Sequence, residues 1–135
     1  MKTLLARLRT ALGIELVEQQ QAGILCIHKP KGLQFKVTVA YDVLEWFVDA
    51  NDDSGAVWSE WADYYPINGE AREQLVTEMA FDLERFVTIL ARSEIRVSTD
   101  QTKFERVIEL KAGDSWKIAS LSWMTAEPER NSAQT

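Results

Sequence analysis

The chain has 135 residues, of which 46% are hydrophobic and 27% charged, and its formal net charge at pH 7 is −6. This length fits one domain, and the balance of apolar and charged residues excludes a disordered chain. The single cysteine, Cys26, excludes an intramolecular disulfide, and no window approaches the roughly 20 apolar residues that cross a bilayer. The composition therefore predicts a soluble cytoplasmic domain with no membrane segment.

The first predicted element is a short amphipathic helix over residues 2–12. Its apolar positions recur at helical spacing and are Leu4, Leu5, Leu8, Ala11 and Leu12. Gly13 follows as a stop signal. Arg7 and Arg9 interrupt the apolar run, so the segment does not have the uncharged core of a secretory leader.

Beyond Gly13 the period changes to that of strands. Two short strands are predicted at 14–16 and 24–27, with a glutamine-rich turn between them. The clearest strand covers residues 35–41, where Phe35, Val37 and Val39 fall on one face. This face is the predicted core side of the sheet.

A hairpin is predicted from residues 43–49 and 56–65. Both segments are rich in aromatic and β-branched residues, and they flank the turn-forming sequence at 51–55. Pro66 ends the second strand. Further strands are predicted at 95–98 and in a second hairpin, formed by 103–111 and 115–121 around the turn at 112–114.

The period between the two hairpins is helical, which predicts a long helix over residues 69–92. Asn68 is its predicted N-cap, Glu70 and Glu73 fall in its first turn, and Arg92 falls in its last. Its apolar stripe consists of Leu75, Val76, Met79, Ala80, Leu83, Phe86, Val87 and Leu90.

These elements predict an α+β fold, because strands interrupted by one long helix lack the β-α-β alternation of a doubly wound sheet. The predicted architecture is an antiparallel sheet of short strands and hairpins packed against the helix at 69–92. We expect one domain over residues 1–126, followed by a flexible C-terminal tail over 127–135.

Charge is distributed unevenly along the chain. Residues 37–84 contain twelve acidic residues and a single base, Arg72, whereas the rest of the chain has more bases than acids. Such a segment repels phosphate backbones, so nucleic acid is excluded as its partner and a basic protein is favoured.

Aromatic residues lie within this acidic segment, and acidic plus aromatic surfaces suit the steering and anchoring of a basic partner. The predicted contact residues are Asp49, Asp52, Asp53, Trp58, Glu60, Trp61, Asp63 and Tyr64. The alternative is that the aromatic side chains belong to the core and the charges to a solvated face. Alternation places Trp58, Glu60 and Tyr64 on one face and Trp61 and Asp63 on the other, and leaves open which face is exposed.

No metal, cofactor or catalytic site is predicted. Asp49, Asn51, Asp53 and Glu60 have the spacing of calcium ligands, but Ser54 occupies the position that requires glycine, so a hairpin turn is the favoured interpretation. Cys26 and His28 share a strand face, yet two ligands are too few for a zinc site. An enzyme is not supported by any nucleophile or phosphate-binding motif.

In size, acidity and small α+β build, the chain resembles the immunity proteins with which bacteria neutralise secreted toxins, many of which are basic nucleases. That resemblance implies a non-enzymatic inhibitor of a basic protein. In its proportions and leading helix the chain also resembles the small acidic chaperones of type III secretion, which implies a dimer holding an effector segment. A small-ligand or enzymatic α+β domain is the third hypothesis.

Overall fold

The computed structural model describes residues 1–126, and the predicted flexible tail at 127–135 lies outside the described residues. The elements in chain order are α1 (Lys2–Leu12), β1 (Glu15–Glu18), β2 (Ala22–His28), β3 (Gln34–Ala40), β4 (Glu45–Asp52), β5 (Gly55–Asp63), α2 (Arg72–Arg92), β6 (Ile95–Asp100), β7 (Glu105–Ala112), β8 (Ser115–Ile118) and α3 (Leu121–Met124).

Strands β1 to β5 form an antiparallel sheet in which each strand pairs with the next one along the chain. One face of this sheet is buried, and Phe35, Val37 and Val39 lie on it as predicted, each fully buried. We call this side the core face. The side chains that alternate with it along each strand form the outer face.

Both longer helices cover the core face. The apolar stripe of α2 is confirmed, and its buried residues are Leu75, Met79, Leu83, Phe86, Val87 and Leu90. Helix α1 buries Leu4, Leu5 and Leu8 against the same core. The rings of Trp46 and Phe86 meet with centroids 5.0 Å apart. Full burial of a large apolar side chain contributes about 1.5–3 kcal/mol, so this layer supplies the main stabilisation of the fold.

The predicted α+β fold is confirmed, and the structure adds a second sheet. Strands β6, β7 and β8 form a separate three-stranded antiparallel sheet, with the predicted turn at 112–114 joining β7 and β8. Ile108 and Leu110 of β7 are buried in the same apolar cluster as the residues of the first sheet. The two sheets therefore share one core within residues 1–126.

Several predicted boundaries differ from the observed ones, and two of these differences have a clear local cause. Helix α2 begins at Arg72 with Ala71 as N-cap, because the Glu70 carboxylate accepts a hydrogen bond from the Asn68 amide and Gly69, at φ 75°, turns the chain before the helix begins. Glu70 consequently lies outside the helix.

The strand predicted over 115–121 ends at Ile118. Residue Ser120 then caps α3, because its hydroxyl oxygen accepts a hydrogen bond from the Ser122 amide, 3.2 Å away.

Candidate functional site

A row of side chains crosses the outer face of the five-stranded sheet, with one residue from each strand. Antiparallel pairing places Val17, Ile24, Thr38, Phe47 and Trp61 side by side, and we call these residues the apolar row. Phe47 is 39% exposed and Trp61 is 58% exposed. In the part of the chain that the structure describes, the helices pack on the core face and leave these two rings open to solvent.

Two acidic side chains flank the apolar row on one side. Glu45 of β4 lies directly opposite Asp63 of β5, two residues before Phe47 and two after Trp61. Like charges in directly opposite positions of a sheet are destabilising. Within residues 1–126 neither carboxylate forms an ion pair. The sheet therefore retains an unneutralised pair of negative charges beside its exposed aromatic rings.

The other flank of the apolar row is also acidic. Here the register aligns Glu15, Cys26, Lys36, Asp49 and Ser59. The two flanking rows together contain four carboxylates and one lysine, so the outer face is negatively charged on both sides of its apolar centre.

The hairpin of β4 and β5 determines which aromatic side chains reach the outer face. The pairing is regular from Glu45 to Ala50, so Ala50 pairs with Trp58 and both lie on the core face; the register shifts only beyond this pair, between Ala50 and Asn51. Phe47 and Trp61 pair on the opposite side. In the turn, the Ser54 amide donates to the Asp52 carboxylate at 2.9 Å, and Gly55 adopts φ 114°.

The predicted contact residues divide between two faces and the hairpin turn. The structure brings Asp49, Trp61 and Asp63 together on the outer face. Trp58, Glu60 and Tyr64 point to the core side, and Asp52 and Asp53 lie at the turn. The eight residues therefore do not form one continuous surface.

The side chains of Trp58 and Glu60 serve the packing of the core side. The Trp58 ring lies edge-on to Phe35, with centroids 6.4 Å apart, and its Nε1 donates to Glu60 Oε2 at 3.0 Å. The same carboxylate oxygen accepts a hydrogen bond from the Leu121 amide at 3.1 Å. Glu60 thus joins the β5 strand to the N-terminal end of α3.

Tyr64 connects the first sheet to α2. Its hydroxyl donates to Asp82 Oδ2 at 2.9 Å and accepts from Trp46 Nε1 at 3.1 Å. Burial raises the pKa of Tyr64 above its ordinary value, and burial also raises the pKa of Asp82. The hydroxyl completes the hydrogen bonding of the buried Trp46 indole and the half-buried Asp82 carboxylate, so its role is structural.

The Asp52 carboxylate is hydrogen-bonded to an arginine of the second sheet. Arg106 Nη1 donates to Asp52 Oδ2 at 2.6 Å, and this hydrogen bond lowers the pKa of Asp52. The exposed Asp53 carboxylate lies next to Gly32, where an added Cβ would come within 2.9 Å of both carboxylate oxygens.

The side chains with calcium-ligand spacing do not converge. Asp49 lies on the outer face and Glu60 on the core side, while the intervening residues form the hairpin turn. Cys26 is buried, which raises the pKa of its thiol, and His28 Nε2 lies 3.6 Å from Glu15 Oε1. Among residues 1–126 no three metal-ligating side chains are grouped together.

Sequence reasoning missed Phe47 as a contact residue. The signal was present, because Trp46, Val48 and Ala50 are apolar at alternate positions and leave Phe47 on the opposite side of the same strand. Val17 and Ile24 were not identifiable in this way, since their alignment with Phe47 depends on the register of three strand pairs.

The chain matches no protein-family model, and searches of curated proteins and of solved structures return no match. No helix within residues 1–126 has the length and apolar character needed to cross a bilayer.

Proposed function

We propose that the chain is a non-enzymatic, acidic protein-binding module of the immunity or inhibitor type, whose outer face binds a basic partner such as a bacterial toxin. The observation that carries the proposal is the exposed pair of Phe47 and Trp61 beside the unneutralised pair of Glu45 and Asp63. Exposed aromatic side chains are frequent anchors of protein interfaces.

The negative charge of the outer face determines which kind of partner it attracts. The opposed carboxylates repel each other within the sheet, while Asp63 also accepts a hydrogen bond from the Tyr65 hydroxyl, and a cationic partner would neutralise the pair on binding. Negative charge on both flanks attracts a basic protein and repels phosphate backbones. Association is therefore expected to slow as the salt concentration rises, because salt screens exposed charges.

The proposal includes a cytoplasmic location. Its support is that Cys26, the only cysteine of the chain, is a free buried thiol. Small extracellular scaffolds usually carry paired cysteines.

The proposal is tested by using the chain as bait in a lysate of its source strain at low and at high salt. We expect a basic protein to be retained at low salt and released at high salt. The variant Trp61→Ser is expected to lose this protein, whereas Phe104→Ser, which removes an 83% exposed ring from the turn between β6 and β7, retains it.

A charge-matched comparison separates local from overall electrostatics. The double variant Glu45→Gln/Asp63→Asn removes two carboxylates beside the apolar row. The control Glu105→Gln/Asp114→Asn removes two exposed carboxylates from the second sheet. Stronger loss of the retained protein in the first variant supports the outer face as the site. Equal loss in both, or no retained protein at either salt concentration, contradicts the proposal.

A further inference from the structure

The apolar row has a direction and a length that limit what can occupy it. It runs across the strands, from Val17 on β1 to Trp61 on β5. Neighbouring strands lie about 4.8 Å apart, so four steps give a row of about 19 Å. An α-helix of about 13 residues has this length, and its pitch of about 5.4 Å approaches the strand spacing. One apolar side chain per helical turn would therefore meet successive strands.

The acidic flanks fit the sides of such a helix. The two flanking rows lie about 7 Å on either side of the apolar row, because side chains on one face are separated by two residues along a strand. A helix with its side chains is about 10–12 Å wide, so residues beside its apolar stripe would lie above both flanks. Glu45 and Asp63 on one flank and Asp49 on the other would meet basic side chains there.

A second copy of this chain fits the outer face less well. Stacking two such faces would bring the acidic rows of one copy near those of the other, with Lys36 as the one base in these rows. An extended segment fits less well too. Strand addition uses the hydrogen-bonding groups at a sheet edge, whereas the apolar row crosses the middle of a face.

We infer that the apolar row receives a basic amphipathic helix of the partner, lying across strands β1 to β5 with lysine or arginine on both sides of its apolar stripe. This inference rests on the proposed function. It narrows the partner to one that presents such a helix on its surface.

The test uses a fluorescein-labelled peptide of about 14 residues with one leucine per turn on a single face and lysines on both flanks. A second peptide of the same composition has its leucines permuted so that they share no face. Binding is measured by fluorescence anisotropy with the full chain, and helix formation is measured by far-UV circular dichroism. We expect the patterned peptide to bind at least about tenfold more tightly and to gain helix on binding.

Two protein variants link the binding to the apolar row. Trp61→Ser is expected to weaken binding of the patterned peptide at least about tenfold, while Phe104→Ser leaves it unchanged. Trp61 is 58% exposed, so its replacement removes little core packing, and Phe47→Ser serves as a second variant. Folding of each variant is verified by its thermal unfolding.

The outcomes distinguish this inference from the proposed function. Equal binding of the two peptides, or binding that Trp61→Ser does not change, overturns the helix inference. If the lysate still yields a basic protein that Trp61→Ser releases, the proposed function stands without the helix. If neither peptide nor lysate protein depends on Trp61, both are rejected.

Discussion

Trp61 and Tyr64 lie three residues apart in the same aromatic segment and have opposite roles. Trp61 is 58% exposed on the outer face, whereas the Tyr64 hydroxyl is hydrogen-bonded between Trp46 and Asp82. The difference arises from strand alternation and from the polar atom of tyrosine, which needs a partner when it is buried. Residue type alone does not separate an anchor from a structural link.

Replacing Tyr64 with phenylalanine is expected to lower the free energy of unfolding by about 1–3 kcal/mol at neutral pH. The reason is that the change leaves the buried Trp46 Nε1 and the half-buried Asp82 carboxylate without their shared partner. Urea unfolding followed by tryptophan fluorescence measures the change. A loss below about 0.5 kcal/mol would show that water replaces the hydroxyl at little cost.

The same variant has a distinct pH dependence. An unfolded tyrosine ionises near pH 10, whereas burial keeps Tyr64 protonated to higher pH, so the stability that it contributes is complete below about pH 10 and is lost above it. We expect the wild type to lose more stability than Tyr64→Phe between about pH 9 and pH 11.5. Tyr41, whose pKa is raised to about 12, remains in both proteins and gives the background. Parallel pH curves would contradict this expectation.

For the opposed carboxylates of Glu45 and Asp63 we expect a substitution to change stability in the opposite direction. Glu45→Gln is expected to raise the free energy of unfolding by a few tenths of a kcal/mol, because it removes a directly opposed like charge. Glu109→Gln is the comparison, since it removes the 2.9 Å ion pair with Arg96 and should be destabilising. Urea unfolding at low salt measures both variants, and a destabilising Glu45→Gln would mean that this carboxylate stabilises the fold.

At the scale of elements, the C-terminal end of α2 is fixed by a residue far away in the sequence. Lys29, just after β2, donates from Nζ to the backbone carbonyls of Ala91 at 3.0 Å and Ser93 at 2.9 Å. Carbonyls at a helix C-terminus lack partners within the helix, and a cation there also favours the helix dipole. Burial lowers the pKa of Lys29. The ammonium group nevertheless makes two hydrogen bonds, one to each of these carbonyls.

Lys29→Met keeps the length of the apolar stem and removes the ammonium group. We expect the free energy of unfolding to fall by about 1–3 kcal/mol, since two carbonyls lose a charged donor. The control is Lys103→Met in the exposed turn between β6 and β7, which should change stability little. Thermal unfolding followed by circular dichroism compares the two variants. Similar effects in both would argue against stabilisation of the C-terminal end of α2 by Lys29.

At the scale of the whole molecule, two sheets are joined by a common core and by one arginine. Ile108 and Leu110 of β7 are buried in the cluster that contains Phe86. Arg106 donates to Asp52 and to the carbonyls of Gly55 and Ala56, which links the second sheet to the turn of the first. Shared burial of this kind couples the unfolding of both sheets.

Residues 1–126 are therefore expected to unfold as one cooperative unit. Transitions in urea followed by tryptophan fluorescence and by far-UV circular dichroism should coincide. Arg106→Met should move both transitions to lower urea together, because the apolar core still joins the sheets. Separate midpoints for the two signals would show that the second sheet unfolds independently.

The part of the fold that could be predicted from the sequence is the part that follows from local periodicity. The alternation of Phe35, Val37 and Val39 predicted a buried strand face, and the helical stripe from Leu75 to Leu90 predicted what covers it. The start of α2 was not predictable, because Glu70 bonds to the Asn68 amide and Gly69 turns the chain before the helix. Local hydrogen bonds of this kind compete with the backbone hydrogen bonds of a helix.

For the candidate site, the sequence determined the two alternating faces of β5 and the acidity of the segment around it, because both follow from residue order alone. Tertiary structure decided which face is exposed: Trp58 packs with Phe35 and Phe86, and Trp61 is left in solvent. Only strand register could align the apolar row and oppose Glu45 to Asp63, since pairing across strands depends on long-range contacts.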